Sequence, residues 1–177
     1  MDRRHSTVAV IPAYNEAESI SDVVKQTALR ANDVLVIDDG SSDDTVELAL
    51  RAGAKVYRQP HQGTGAATRK AWQIAKGQDG HCDIMVTLDA DGQHNPSEIF
   101  DLTEPIADGS ADIVIGSRFN NGQYGLIPSY RKFGIDIITW LYNVGSKQKI
   151  TDAQSCFRAF NRKALEQIAI TENGFGF

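Results

Sequence analysis

The chain has 177 residues, enough for one domain with a sizeable core, and its 41% hydrophobic and 23% charged composition is that of an ordinary globular protein. With 18 basic and 23 acidic side chains the net charge is −5, so no global basic field invites nucleic acid. No window approaches the ~18 to 20 apolar residues of a membrane span, and the first apolar run is too short for a signal-peptide core. The two cysteines, Cys82 and Cys156, have neither zinc nor Cys-x-x-Cys spacing and read as reduced thiols of a cytoplasmic protein.

Thr7–Ile11 is a β-branched run and reads as the first buried strand. Asn15 is placed to cap a helix, with Glu18 completing a capping box, and Ile20, Val23, Val24 and Ala28 follow at helical spacing. Val34–Ile37 is a second buried strand. Ser41 or Ser42 caps the next helix, Val46, Ala49 and Leu50 face inward, and Gly53 ends it. Ala54–Tyr57 is a third strand. The small-residue loop His61-Gln62-Gly63-Thr64-Gly65 opens a helix carrying Ala71, Trp72 and Ala75. Asp83–Leu88 is a fourth strand, and Asn95-Pro96-Ser97-Glu98 starts a helix with Ile99, Leu102 and Ile106 on its apolar stripe. Ala111–Gly116 is a fifth strand. Ser117–Pro128 reads as a polar loop and Tyr130–Val144 as an unusually apolar helix. Ser155–Phe160 is a further strand, Arg162–Ile168 a short helix, and 171–177 irregular. The alternation predicts an α/β fold: a Rossmann-like, mostly parallel sheet with helices on both faces.

Three strand ends carry distinctive polar groups: Tyr14 and Glu16 after the first strand, Asp38 and Asp39 after the second, Asp89 and Asp91 after the fourth. Ligands of open α/β sheets bind at the carboxyl ends of the strands. On an extended segment Asp89 and Asp91 point the same way, with Gln93 continuing the spacing, and hard divalent cations take such oxygens. An aromatic, several carboxylates and a metal pair suit a nucleotide. Asp43 and Asp44 read as helix-start charges, and His94 as a solvated residue at a helix start.

Ile-Pro-Ala-Tyr-Asn-Glu (11–16), Val-Ile-Asp-Asp-Gly-Ser (36–41) and Thr-Leu-Asp-Ala-Asp-Gly-Gln (87–93) resemble family 2 glycosyltransferases. Gly-Ser-Arg-Phe (116–119) and Asp-Ala-Gln-Ser-Cys-Phe-Arg-Ala-Phe (152–160) narrow the resemblance to the polyprenyl-phosphate branch, the dolichol-phosphate mannosyltransferase or glucosyltransferase type. The resemblance implies a GT-A fold, a nucleotide-diphospho-sugar donor, a polyprenyl phosphate acceptor, Mg2+ or Mn2+, and inversion at the anomeric carbon. It places Pro12, Tyr14, Glu16, Asp39 and Asp89 at the nucleotide. Asp89, Asp91 and Gln93 take the metal, and Asp91, Arg118 and Arg131 are the catalytic set, the two arginines on phosphate.

The sequence departs from that pattern in two places: His61-Gln62-Gly63-Thr64-Gly65 lacks a lysine common in relatives, and Cys156 stands where Ser-Gly-Phe-Arg has glycine. The chain is expected to be a single domain over 1–177, its nucleotide-binding part about 1–116 and its acceptor part about 117–177. Relatives commonly continue past Phe177, so it reads as a shortened piece. Segment 130–150 is either core or a peripheral membrane contact at the cytoplasmic face. A non-catalytic nucleotide-sugar-binding domain and a family 2 transferase with another acceptor stay open.

Overall fold

Thr7–Ala13 (β1) runs through the middle of a six-stranded sheet in the computed structural model, which describes residues 5–77, 82–117, 139, 143, 144, 150–152 and 155–170. The other strands are Asp33–Asp38 (β2), Lys55–Arg58 (β3), Ile84–Thr87 (β4), Ile113–Ile115 (β5) and Arg158–Asn161 (β6), in the order β3-β2-β1-β4-β6-β5. β1 pairs in parallel with β2 and β4, and β2 with β3. β6 is antiparallel to both β4 and β5. The expected mostly parallel sheet is thus present, with one reversed strand inserted beside β4.

The helices are Ile20–Ala28 (α1), Thr45–Arg51 (α2), Thr64–Gly77 (α3), Ile99–Ala107 (α4, entered through a 3-10 turn at Pro96–Glu98) and Arg162–Gln167 (α5). Side chains alternate across each strand, so β1 feeds two cores. Ala9, Ile11 and Ala13 pack with Val23, Val24, Ala49, Ile99, Leu102 and Ile106 of α1, α2 and α4. Val8 and Val10 pack on the other face with Ala67, Ala71, Trp72 and Ala75 of α3 and Leu165 of α5. Two helices on one face and a third crossing back on the other reverse the winding between β1 and β4. That reversal is the switch point at which open α/β sheets bind ligands.

Pro12 opens this switch point. The Val10 carbonyl accepts from Leu88 N at 3.1 Å, while the Ala13 carbonyl accepts from Asp39 N at 2.9 Å. In parallel pairing a residue directs both backbone groups to one neighbour, so Val10 and Pro12 face β4 and Ala13 faces β2. Proline offers no donor there, and β4 has already ended at Thr87. The two strands part at that position, and a crevice begins.

Several local expectations are corrected. Asn15 does not cap α1: it sits at φ +55°, and its Oδ1 accepts from Ser42 N at 2.9 Å. The helix begins at Ile20 after Ser19, with no side-chain cap. Asparagine tolerates the left-handed region, and here it ties the β1 loop to the β2 loop. Neither Ser41 nor Ser42 caps α2. The N-cap is Asp44, which makes no side-chain cap hydrogen bond. Asp43 before it accepts from Thr45 N (3.1 Å) and from Ala17 N (3.2 Å), tying the β1 loop to the start of α2. Leu50 is 55% exposed rather than inward. In α1, Thr27 is buried where Ala28 was expected. The Asn95 cap holds, its side chain accepting from Ser97 N at 3.1 Å. Gly53 ends α2 at φ +99° as expected. Neither cysteine is in a disulfide, and burial pushes the Cys82 thiol up to about 11. The apolar 130–144 segment lies outside the described residues apart from Thr139, Asn143 and Val144. Among the described residues no helix is long and apolar enough to cross a membrane.

Candidate active site

β2, β1 and β4 are neighbours, so the loops carrying Asp39, Tyr14 with Glu16, and Asp89 with Asp91 open onto one crevice. The two aspartates ending β2 divide their work. Asp38 is fully buried, 3.2 Å from Arg58 Nε, and accepts from Ser41 N at 3.2 Å. It braces the turn. Arg58 also donates to the Ser41 carbonyl at 2.7 Å, which fixes the same turn from β3.

Asp39 is 3% exposed and points into the loop before α3. Its Oδ1 accepts from Gln59 Nε2 at 2.7 Å and from Gln62 N at 3.0 Å. Its Oδ2 accepts from Gly63 N at 2.8 Å and lies 2.8 Å from His61 Nδ1. Burial by itself would push this carboxyl up. The hydrogen bonds from Gln59, Gln62 and Gly63 and the nearby His61 outweigh it and hold the group below its ordinary 3.8. Gly40 lets the β2 loop come this close: it sits at φ +84°, and a Cβ there would stand 2.9 Å from His61 N.

A pH prediction follows from the Asp39 cradle. The folded carboxyl binds its proton less readily than the unfolded one, so its stabilisation is complete above the unfolded value of about 3.9 and is lost as pH falls through the folded value. Asp39→Asn should cost about 1 to 3 kcal/mol at pH 7 and distinctly less at pH 3. Urea midpoints of both proteins at the two pH values measure this, and an equal gap at both would refute it.

Tyr14 is 46% exposed and its ring stacks on His61, centroids 4.2 Å apart at 27°. Glu16 is anchored by its backbone N, which donates to Thr45 Oγ1 at 2.8 Å, and its carboxylate accepts from Ser19 Oγ at 3.3 Å. The Glu16 carboxyl is pushed above its ordinary range, first by burial and then, against the Ser19 hydrogen bond, by the charges of Asp91, Asp43 and Asp89. These carboxylates therefore share one field across the crevice.

Asp89 and Asp91 do not lie on an extended segment. The strand ends at Thr87, and the chain turns over Ala90 and Asp91 with Gly92 at φ +77°. Asp91 is exposed, its Oδ1 accepting from Gln93 N at 2.9 Å. His94 is not a solvated helix start. It is 9% exposed, stacks on Phe157 at 5.1 Å, and its Nδ1 accepts from Asp89 N at 3.1 Å. An accepting Nδ1 carries no proton, so the 3.8 Å approach to Asp89 Oδ2 is not an ion pair. His94 instead pins the turn to Phe157, the residue just before β6. Gln59 and His61, the cradle's side-chain donors, had no assigned role in the sequence reading, because their importance comes from a contact between two loops. Arg118 and Arg131 lie outside the described residues.

The donor chemistry fits a hard divalent cation. Asp89 and Asp91 offer carboxylate oxygens, and their charges, after burial, help to raise the Glu16 carboxyl; a cation between them would offset that charge. Among the described residues no three His, Cys, Asp or Glu side chains form an all-protein cage. Mg2+ commonly uses one or two carboxylates and completes its shell with substrate phosphates and water, so no such cage is needed.

The family model for Glycosyl transferase family 2 matches residues 8–169. Among curated proteins the chain is 35% identical to glycosyltransferase AglJ of Haloferax volcanii, over 93% of this chain and 53% of that protein. It is 32% identical to the UDP-N-acetylglucosamine–dolichyl-phosphate N-acetylglucosaminyltransferase of Methanococcus voltae, over 90% of this chain and 71% of that protein. It is also 32% identical to the polyprenol monophosphomannose synthase of Mycolicibacterium smegmatis, over 97% and 68%. The chain thus spans about half to seven tenths of these relatives. Glucosyl-3-phosphoglycerate synthase of Mycobacterium tuberculosis, solved with Mn2+ and UDP-glucose, superposes with a TM-score of 0.75 at 21% identity, over 98% of this chain and 61% of that one. That likeness concerns the fold, which is GT-A. On the extent of the family match and these relatives, the chain belongs to the family 2 glycosyltransferases.

Proposed function

We propose that this chain transfers a hexose from a GDP- or UDP-sugar to a polyprenyl phosphate, in a reaction that needs Mg2+ or Mn2+. The observation that carries the reading is the meeting of Tyr14, Glu16 and Asp39 with the Asp89–Asp91 turn at the β2-β1-β4 switch point. Relatives named for dolichyl-phosphate and polyprenol acceptors support the choice of acceptor.

In this reading Pro12, Tyr14, Glu16, Asp39 and Asp89 hold the nucleoside, the Tyr14 ring covering the base. Asp89, Asp91 and Gln93 would hold the cation, which when bound supplies Lewis-acid offset of the charge that grows on the leaving diphosphate. The bond from the anomeric carbon to the diphosphate oxygen breaks, and an acceptor phosphate oxygen bonds to the opposite face of that carbon. The nucleoside diphosphate departs with the electron pair. A phosphate monoester has a second pKa of about 6 and is already nucleophilic at pH 7, so no protein base is assigned. Arg118 and Arg131 are assigned to the acceptor phosphate, which suits a planar bidentate guanidinium. Segment 130–150 is assigned the lipid contact, at the cytoplasmic face of a membrane.

The test is a thermal-shift panel of GDP, UDP, ADP and dTDP with and without Mn2+, followed by nucleotide release from the matching sugar donor on adding polyprenyl phosphate. A nucleotide at 100 times its dissociation constant adds about 2.7 kcal/mol, or about 5 to 11 °C in Tm for a chain of this size. A metal-dependent shift with one nucleotide, and release that requires the lipid phosphate, is the expected result. Release that ignores the lipid phosphate, or no shift with any nucleotide, would overturn the reading.

A further inference from the structure

The imidazole of His61 makes the two contacts that the proposed function asks of a nucleobase. It stacks on Tyr14 at 4.2 Å and 27°, and it bonds the Asp39 carboxylate at 2.8 Å. Its Nδ1 also lies 3.1 Å from the Asp39 main-chain carbonyl. Both partners accept, so Nδ1 carries the hydrogen and donates. We infer that His61 is a displaceable plug: in the nucleotide-free protein it occupies the base position, and it must swing out before a nucleotide binds. The inference rests on the nucleotide-sugar reading of the same crevice.

Space and valence both require the displacement. A base sandwiched between two rings needs them about 7 Å apart, two contacts of about 3.5 Å each. The Tyr14 and His61 centroids are 4.2 Å apart, so nothing fits between them. A carboxylate has about four acceptor sites. Those of Asp39 are taken by Gln59 Nε2, Gln62 N, Gly63 N and His61 Nδ1. A ligand N–H or O–H reaches Asp39 only by replacing one of these donors.

His61 is the donor built to leave. Gln62 and Gly63 donate through the backbone of a loop against which Gly40 packs with no room for a Cβ. Gln59 is anchored by its own N–H, which donates to the Asp38 carbonyl at 2.9 Å. The His61 side chain is 58% exposed, and rotation about its own side-chain bonds moves it without moving the loop. An open depression lined by Gly40, Arg58, Gln59, Pro60 and His61 itself lies on this side of the ring. A seat that is empty in a fraction f of molecules weakens apparent affinity by 1/f. A hydrogen bond to a carboxylate plus ring stacking, discounted for exposure, corresponds to about a tenfold effect.

The experiment compares wild type, His61→Ala and Tyr14→Ala for binding of GDP and UDP with Mn2+, and follows the His61 ring by 15N NMR. His61→Ala should bind the preferred nucleotide about tenfold tighter and associate faster, while Tyr14→Ala binds more weakly. In the nucleotide-free wild type the ring should report an Nδ1–H held by a carboxylate, a signal that Asp39→Asn moves and that nucleotide titration converts to a free imidazole. Weaker or unchanged binding by His61→Ala, with wild-type Tm, would overturn the plug and leave the nucleotide reading standing. A ring signal blind to Asp39→Asn would overturn it with no ligand involved. If no nucleotide binds either wild type or His61→Ala, both ideas fall together.

Discussion

Asp91→Ala is expected to remove the Mn2+-dependent part of nucleotide binding and to lower turnover by about 10² to 10³-fold, while the chain stays folded. The side chain is exposed and supports the protein through one hydrogen bond from Gln93 N at 2.9 Å. Losing that bond costs about 1 kcal/mol, small beside the roughly 5 to 15 kcal/mol stability of a folded domain. Its part in the proposed reaction is larger. Lewis-acid offset at a leaving diphosphate is worth several kcal/mol, and each 1.4 kcal/mol is a factor of about ten in rate. Binding curves with Mn2+ and with chelator separate the two contributions. In the variant they should coincide, and in wild type they should differ. An unchanged metal dependence in Asp91→Ala would place the cation elsewhere.

Trp72→Ala has the largest expected effect on stability, a loss of about 3 to 5 kcal/mol. Trp72 is 5% exposed, meets Phe160 edge-on at 4.8 Å, and donates from Nε1 to the Leu165 carbonyl at 3.0 Å. It fastens α3 to α5 and β6, so truncation opens a cavity and leaves a buried carbonyl without that donor. For this chain length the Tm should fall by about 6 to 20 °C. Trp72→Phe keeps most of the volume and should cost less than half as much. Urea unfolding of the three proteins tests the ranking, and equal stability of the two variants would refute the packing account. Well below the lowered Tm, nucleotide affinity should stay within a few-fold of wild type, because the Asp39 cradle lies at the far end of α3.

The parallel half of the sheet was legible because β1, β2 and β4 are short apolar runs ending in polar groups, and few other structures bury such a run. The stripes of α3 and α4 were legible for a similar reason: Ala71, Trp72 and Ala75, and Ile99, Leu102 and Ile106, recur with the helix period. Asn15 was misread because the same side chain serves equally well as a cap and as a left-handed bridge. The choice was made by Ser42, 27 positions away. His94 was misread for a related reason. Its neighbours in sequence are polar, yet its neighbour in space is Phe157. The aspartates after β4 were singled out by their place at a strand end and their alternate spacing, although the extended geometry invoked for them is a turn. The cradle donors Gln59 and His61 stand on the β3 loop. Nothing in their spacing marks them, since the site forms only when two loops close on each other.

The reversed strand β6 has a consequence for the order in which the molecule can be made. It is the last strand among the described residues, at 158–161, yet it sits between β4 and β5. While the ribosome has delivered only the first 117 or so residues, four parallel strands can assemble. β4 then shows a bare edge, and β5 has no neighbour to bond. An unpaired edge of Ile-Met-Val-Thr is the kind of surface that recruits other chains. The crevice wall formed by the Asp89–Asp91 turn also lacks its support, since Phe157 arrives with β6. Nascent chains arrested near residue 117 should therefore be aggregation-prone and chaperone-dependent, and those arrested well past 161 should not. Completion of the crevice and protection of the sheet edge are one late event.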